Sequence, residues 1–291
     1  MSSFLKRLFI FSIAVISFFS LILIALHGKS YSDELLKFEE NKNILIAGDS
    51  QTECSINDRL FSNIINVSQS ADSYLYTFSK LTKLLSVNPY IDTVILSYSY
   101  NDIVIEFNKY YRDNKYLEYK VPKYFALMDK FELFELFKLN PKCLISSIPL
   151  IIKHNLSLKL NSNLEFNNLD FGSYKEIEND KQKSFNYVPL KDLRFSEMQM
   201  NYLIKIYNLC INKKVKLILI STPIQYASKI FSSKFVEKYK NFKNKKLKRA
   251  ILFDFTNLKM ESSLFADLVH LNTQGANQFS VYLRDSVLKK K

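Results

Sequence analysis

Five short apolar runs punctuate the chain after residue 42: Asn43–Ala47, Ile64–Val67, Thr93–Ser97, Val215–Ile220 and Ile251–Phe255. Each is bounded by polar residues and rich in Ile, Leu, Val or Phe. Continuous runs of this length suit strands buried on both faces, as in a parallel sheet. Between them the apolar residues recur at helical spacing, around 52–62, 72–87, 196–212 and 230–246. A last helix is expected over about 273–288. Alternation of strand and helix predicts an α/β domain, with a parallel sheet between helices on both faces.

Two stretches depart from this rhythm. The interval between the third and fourth runs is far longer than one crossover needs, even after residues 196–212 supply the helix. It leaves an insertion at about 107–193, rich in Tyr, Phe, Lys and Asn. Residues 123–138 and 143–158 within it look helical, and 161–192 looks like loop.

The other departure is at the N-terminus. Leu8 to Leu26 carries no charge and only Ser12, Ser17 and Ser20 interrupt it. As a helix it is about 28 Å long, enough to cross a bilayer core. Lys6 and Arg7 precede it, so residues 1–7 are expected on the cytoplasmic side and the rest outside. A cleaved signal peptide would have a shorter core and a better exit than Ala25-Leu26-His27-Gly28. A core helix would show a polar stripe. Residues 27–42 read as a juxtamembrane linker and 43–291 as the exported domain.

The formal charge is +13. The lysines are dispersed and no nucleic-acid module accompanies them, so a solvated basic surface is favoured over a nucleic-acid partner. The dense run Lys243–Arg249 falls at a helix end or loop. Cys54, Cys143 and Cys210 match no zinc or redox spacing, and Cys54 and Cys210 read as buried helix residues. No second ligand cluster accompanies them, so neither a metal nor a cofactor is expected.

Candidate chemistry sits where strands hand over to helices, the usual place for a site in an open parallel sheet. The first run ends in Ala47-Gly48-Asp49-Ser50-Gln51-Thr52-Glu53. Taken alone, Ser50 with Glu53 also fits a helix N-cap and capping box. Near the far end the chain reads Asp267-Leu268-Val269-His270-Leu271-Asn272-Thr273-Gln274-Gly275. A serine hydroxyl needs a base to become a nucleophile. A histidine held by a carboxylate is such a base, and Asp267 and His270 lie three residues apart. His27 and His154 are read as non-catalytic. Glu53 and Asp102 are read as cap or turn residues.

Gly-Asp-Ser after the first strand, with Asp-x-x-His-Leu-Asn-x-x-Gly before the last helix, resembles the SGNH/GDSL hydrolase superfamily. The resemblance covers about 43–288 apart from the insertion. It implies a three-layer α/β/α sandwich around a five-stranded parallel sheet of flavodoxin type. It implies a catalytic set of Ser50, Asp267 and His270, and an oxyanion hole from the Ser50 N–H, the Ala71 N–H and the Asn101 side-chain amide. Ala71, in Asn66-Val67-Ser68-Gln69-Ser70-Ala71-Asp72, stands at a position that is usually glycine. So does Ser99, in Ser99-Tyr100-Asn101-Asp102, while Gln51 replaces the leucine of the GDSL label.

Ester hydrolysis or acyl transfer through an acyl-serine is the implied activity. With the anchor, this points to acyl, especially acetyl, esters of envelope polysaccharide as substrates, and to polysaccharide machinery as a partner. The insertion would then be a cap that binds a glycan, or a second packing layer. The rival readings are a lipase or thioesterase, and a catalytically degenerate glycan-binding or assembly protein.

Overall fold

The computed structural model describes residues 2–27, 31–161, 166–178, 194–225 and 231–288. The chain forms two compact units, one from Lys37–Tyr111 with Glu165–Lys291, the other from Met1–Leu36 with Arg112–Leu164.

The larger unit holds five strands: β1 (Ile44–Ala47), β2 (Ile64–Asn66), β3 (Thr93–Ser97), β4 (Lys216–Ser221) and β5 (Ile251–Asp254). All are parallel, in the order β2-β1-β3-β4-β5. Every residue of β1 and β3 is buried, which explains their unbroken apolar sequence. Alternate residues Ile44, Ile46, Ile95, Ile218 and Ile220 share one core with Phe279 and Leu283. The edge strand β5 is only half-buried.

The helices of this unit are α2 (Ser50–Ser55), α3 (Tyr74–Val87), α8 (Glu197–Asn212), α9 (Ser233–Lys246) and α10 (Thr273–Leu283). Ser196 and Ser232 cap α8 and α9, accepting from the Gln199 and Phe235 N–H groups. The predicted helix over 52–62 is shorter. The Asn66 amide donates to the carbonyls of Thr52 (3.1 Å) and Ile56 (2.9 Å), which satisfies the end of α2 and stops it. A 3-10 turn, Asp58–Leu60, follows. Lys243, Lys245 and Lys246 close the last turn of α9, where cations oppose the helix dipole.

The smaller unit contains α1 (Ser2–Leu26) and four helices of the insertion: α4 (Asn114–Tyr124), α5 (Lys130–Leu139), α6 (Pro141–Ser146) and α7 (Ile148–Leu160). The two helices expected there are four. Asp129 accepts from the Phe131 and Glu132 N–H groups and starts α5 afresh with a capping box. Asn140 caps α6, and Pro149 sits in the first turn of α7, where its missing N–H is harmless. α1 packs on α7. Residues expected to be linker also join this unit: Tyr31 is buried and its hydroxyl donates to the Lys123 carbonyl at 2.8 Å. His154 lies 3.2 Å from the same hydroxyl, a packing role.

Among the described residues no helix is long and apolar enough to cross a membrane. Several side chains of α1, Val15, Ile16, Phe19 and Leu23 among them, lie outside the described set. Of the stretch expected to be loop, 166–178 is described; it forms one 3-10 turn, Phe166–Leu169, and then irregular chain. Most of the remainder lies outside the described residues.

Candidate functional site

β1 delivers Ser50 to the C-terminal edge of the sheet. Gly48 makes this turn possible, because a Cβ there would lie 2.3 Å from that of Ser97. Asp49, not Ser50, caps α2, its carboxylate accepting from the Gln51 N–H at 3.0 Å. The Ser50 hydroxyl is therefore not consumed as a cap, and it is half-buried.

The loop before α10 brings the base. Phe265 and Leu271 form an isolated antiparallel bridge, and the Ala266 N–H donates to the His270 carbonyl at 2.9 Å. Asn272 caps α10 by accepting from the Gly275 N–H at 2.9 Å. A Cβ at Gly275 would come within 2.1 Å of the Leu264 carbonyl oxygen, so only glycine lets the loop lie this close to the helix. Asn57 ties α10 to the end of α2 through Ser280 (2.8 Å) and Asn277 (2.7 Å). That brace fixes the separation between the two catalytic candidates.

The result is a continuous chain of side chains. His270 Nε2 is 2.8 Å from Ser50 Oγ, and His270 Nδ1 is 2.7 Å from Asp267 Oδ2. The other Asp267 oxygen accepts from the N–H groups of Val269 and His270, each at 2.8 Å. Burial acts to raise the Asp267 pKa, but the hydrogen bond and charge of His270, with those two N–H groups, hold it below the usual carboxylate range. A carboxylate in this state fixes the imidazole tautomer with Nε2 free to take the serine proton.

β1 lies between β2 and β3, so the expected oxyanion donors flank it. Ala71 follows β2 and Asn101 follows β3. The side-chain amide of Asn101 makes no hydrogen bond with another described residue, and its Oδ1 is buried without a partner. It sits in a turn closed by the Asp102 N–H on the Ser99 carbonyl, 3.2 Å. Ser99 has no left-handed backbone there, so a serine sits at this position without strain. Ala71 differs: its φ is +62°. This is the left-handed region, which glycine occupies more easily than alanine.

Three groups hold that strained loop, and the sequence reading assigned none of them this task. Glu53 accepts from the Ser70 N–H at 2.9 Å and from its hydroxyl; it is not the capping-box glutamate it resembles. Lys80 of α3 is fully buried and donates to the Val67 carbonyl (2.6 Å), the Phe171 carbonyl (2.7 Å) and Asp72 (2.8 Å). The Gln69 N–H donates to the Gly48 carbonyl at 3.0 Å. Gly172, at φ +105°, lets the irregular segment after β3 press on the loop, since a Cβ there would strike the Ser68 carbonyl at 2.0 Å. For an L-residue the left-handed region costs roughly 1–2 kcal/mol. Ala71→Gly is accordingly expected to stabilise the protein by about 0.5–1 kcal/mol after the added chain entropy. A urea titration would read this, and a loss of stability would mean the alanine methyl makes a compensating contact.

Beside the Ser50 turn lie two further carboxyls, Asp49 and Asp102. Both are buried, and the Ser97 hydroxyl lies between them, 3.3 Å from Asp49 and 2.9 Å from Asp102. Asp102 also accepts from the Ser99 N–H (2.8 Å) and Tyr74 (3.4 Å). Burial, then the neighbouring Asp102 charge, pushes Asp49 well above the usual range, and burial raises Asp102. Through Ser97 the two carboxyls tie the Ser50 turn to the Asn101 turn. Asp102 is thus more than a turn residue. A raised folded pKa means stability present below the ordinary carboxylate range and lost as pH rises through the folded value. Asp102→Asn, which removes one of the two titrating carboxyls and its charge beside Asp49, is expected to flatten the fall in stability as pH rises above the ordinary carboxylate range. Urea denaturation across a pH series checks it; an unchanged slope would mean that the two carboxyls do not titrate together on folding.

All three cysteines are buried and unpaired. Burial pushes the Cys54 thiol up to about 12, so it is no rival nucleophile in α2.

Comparison with known proteins adds little to this geometry. A family model that carries no functional description matches residues 177–290, less than half of the chain. No curated protein matches. Among solved structures, one described as "a putative platelet activating factor from Streptococcus pneumonia" is 13% identical, with 96% of this chain and 97% of that chain covered and a TM-score of 0.39.

Proposed function

We propose that the protein is a serine-dependent esterase or O-acyltransferase of SGNH type, built on a flavodoxin-like α/β/α sandwich. The carrying observation is the unbroken Asp267–His270–Ser50 chain, with links of 2.7 and 2.8 Å. Ser50 attacks an ester carbonyl while His270 takes its proton. The Ser50 and Ala71 N–H groups and the Asn101 amide stabilise the oxyanion, a contribution that in such sites reaches about 3–4 kcal/mol per donor. His270 then protonates the leaving alcohol, and water or an acceptor hydroxyl resolves the acyl-enzyme.

Residues 8–26 are the membrane anchor in this reading, with the α/β unit outside the cytoplasm. The uncharged run in the sequence supports it, as does the exposure of Phe9, Phe11, Phe18 and Leu21 on α1. The Ser12 hydroxyl turns back onto the Leu8 carbonyl at 2.9 Å, which removes a polar group from the apolar surface. An exported, tethered acyl-ester enzyme meets envelope polysaccharide, and its acetyl esters are the substrate class we assign.

The test is treatment of the purified full chain with a fluorophosphonate and with 4-nitrophenyl acetate, followed by glycan acceptors. Labelling at Ser50 and acetate release that needs His270 are expected. Folded protein that neither labels nor turns over would leave a glycan-binding role in place of an enzyme.

A further inference from the structure

Helix α5 is inverted. It buries Glu132 and Leu136 and turns Phe131, Phe134 and Phe137 outward, exposed at 62%, 57% and 43%. These three positions fall within one third of the helix circumference. Lys130 and Lys138 flank them, with their ammonium groups 5.3 and 5.1 Å from the Phe131 and Phe134 ring centroids. α7 repeats the pattern one turn apart with Leu156 (43%) and Leu160 (84%), beside exposed Lys153. Exposed apolar faces of this kind mark an interaction site.

The contacts with α1 give the depth of that face. His27, the residue after α1, donates from Nε2 to the Met128 carbonyl (2.7 Å) and packs edge-on against Phe125, just before α5. Lys159 at the end of α7 donates to the Ala25 carbonyl at 3.3 Å. The chain entering α5 and the last turn of α7 are therefore tied to residues 25–27, where the uncharged run of α1 stops. In an anchored chain that level is the boundary between headgroups and acyl chains. Phenylalanine and leucine belong on the acyl side of such a boundary, and lysines reach back to anionic headgroups.

We propose that the helices of the insertion form a lipid-seated platform, in which the Phe face of α5 and the Leu face of α7 enter the outer boundary of an anionic bilayer beside α1. The depth rests on reading α1 as the anchor; the apolar faces themselves do not. Seating at this level would hold the insertion helices at the membrane surface beside α1.

The chain contains no tryptophan, so single replacements report one place each. Full-length Phe134→Trp, Phe18→Trp and Tyr282→Trp proteins would be incorporated into vesicles of phosphatidylcholine and phosphatidylglycerol carrying brominated acyl chains. Phe134→Trp is expected to lose most of its emission when the bromines lie near the headgroup, and less when they lie near the chain end. Phe18→Trp should show the reverse order, and Tyr282→Trp, on the α/β unit, should be unaffected. Quenching at Phe18 without quenching at Phe134 would overturn the platform and leave the anchor. Quenching at Phe134 alone would keep the platform and remove the anchor. Equal quenching at all three sites, or none at any, would overturn the platform. A blue-shifted but unquenched Phe134→Trp signal would overturn it too, by putting protein, such as a second copy, on this face.

Discussion

Ser50→Ala is expected to lower acyl-ester turnover by a factor on the order of 10⁵–10⁶ while leaving the fold intact. The magnitude follows from the role. Without the hydroxyl no acyl-enzyme forms, and only the oxyanion donors and substrate binding remain to assist water. His270→Ala should cost about as much, because the hydroxyl is a weak nucleophile once its base is gone. The double replacement should be hardly worse than either single one, since residues acting as a unit lose their function together. Asp267→Asn should cost on the order of 10⁴, through the wrong imidazole tautomer. Ser50 is half-buried and its hydroxyl bonds only to His270 among the described contacts, so stability should change by no more than about 0.5 kcal/mol. Steady-state kinetics with parallel urea titrations would check both halves. A stable Ser50→Ala protein with undiminished turnover would end the proposed mechanism, and additive losses in the double variant would mean that the two side chains do not work together.

What the sequence made readable follows the range of the interactions. The five strands were legible because each buried strand is a short unbroken apolar run, and their observed ends differ from the expected ones by a residue or so. The Asp267–His270 pairing was legible because it spans three residues of one loop. The approach of Ser50 to His270 joins residues 220 apart, and no local pattern encodes it; only the combined motifs suggested it. Glu53 was misleading for a definite reason. Ser-x-x-Glu has the spacing of a capping box, yet Asp49 had already taken the cap, which released Glu53 to reach Ser70. The insertion was legible as helical but not as a partner of α1. Its α5 puts phenylalanines on the exposed face, so the rule that apolar residues point inward fails there. Lys80 was the least visible of all, because a lysine within a helical pattern is ordinarily solvated.

Lys80→Met is expected to destabilise the protein by about 3–5 kcal/mol, the usual cost of removing one member of a buried ion pair. The side chains of Lys80 and Asp72 are both fully buried, so removal of the ammonium leaves a carboxylate in a medium that solvates it poorly. It also leaves the Val67 and Phe171 carbonyls without this donor. Against a total stability of about 5–15 kcal/mol, the loss would bring the protein near its unfolding threshold. Adding Asp72→Leu should recover the part due to the stranded charge but not the part due to the two carbonyls, so the double variant should lie between the single one and the wild type. The catalytic consequence is separate. Lys80 spans both sides of the loop that keeps Ala71 at φ +62°, so the folded fraction of either variant should react more slowly with fluorophosphonate. Urea midpoints would measure the first effect, and labelling rates corrected for folded fraction the second. A loss under about 1 kcal/mol, the range of an exposed pair, would mean that water enters beside Asp72 once the lysine is gone. An unchanged labelling rate would mean that Glu53 alone is enough to hold the Ala71 N–H in place.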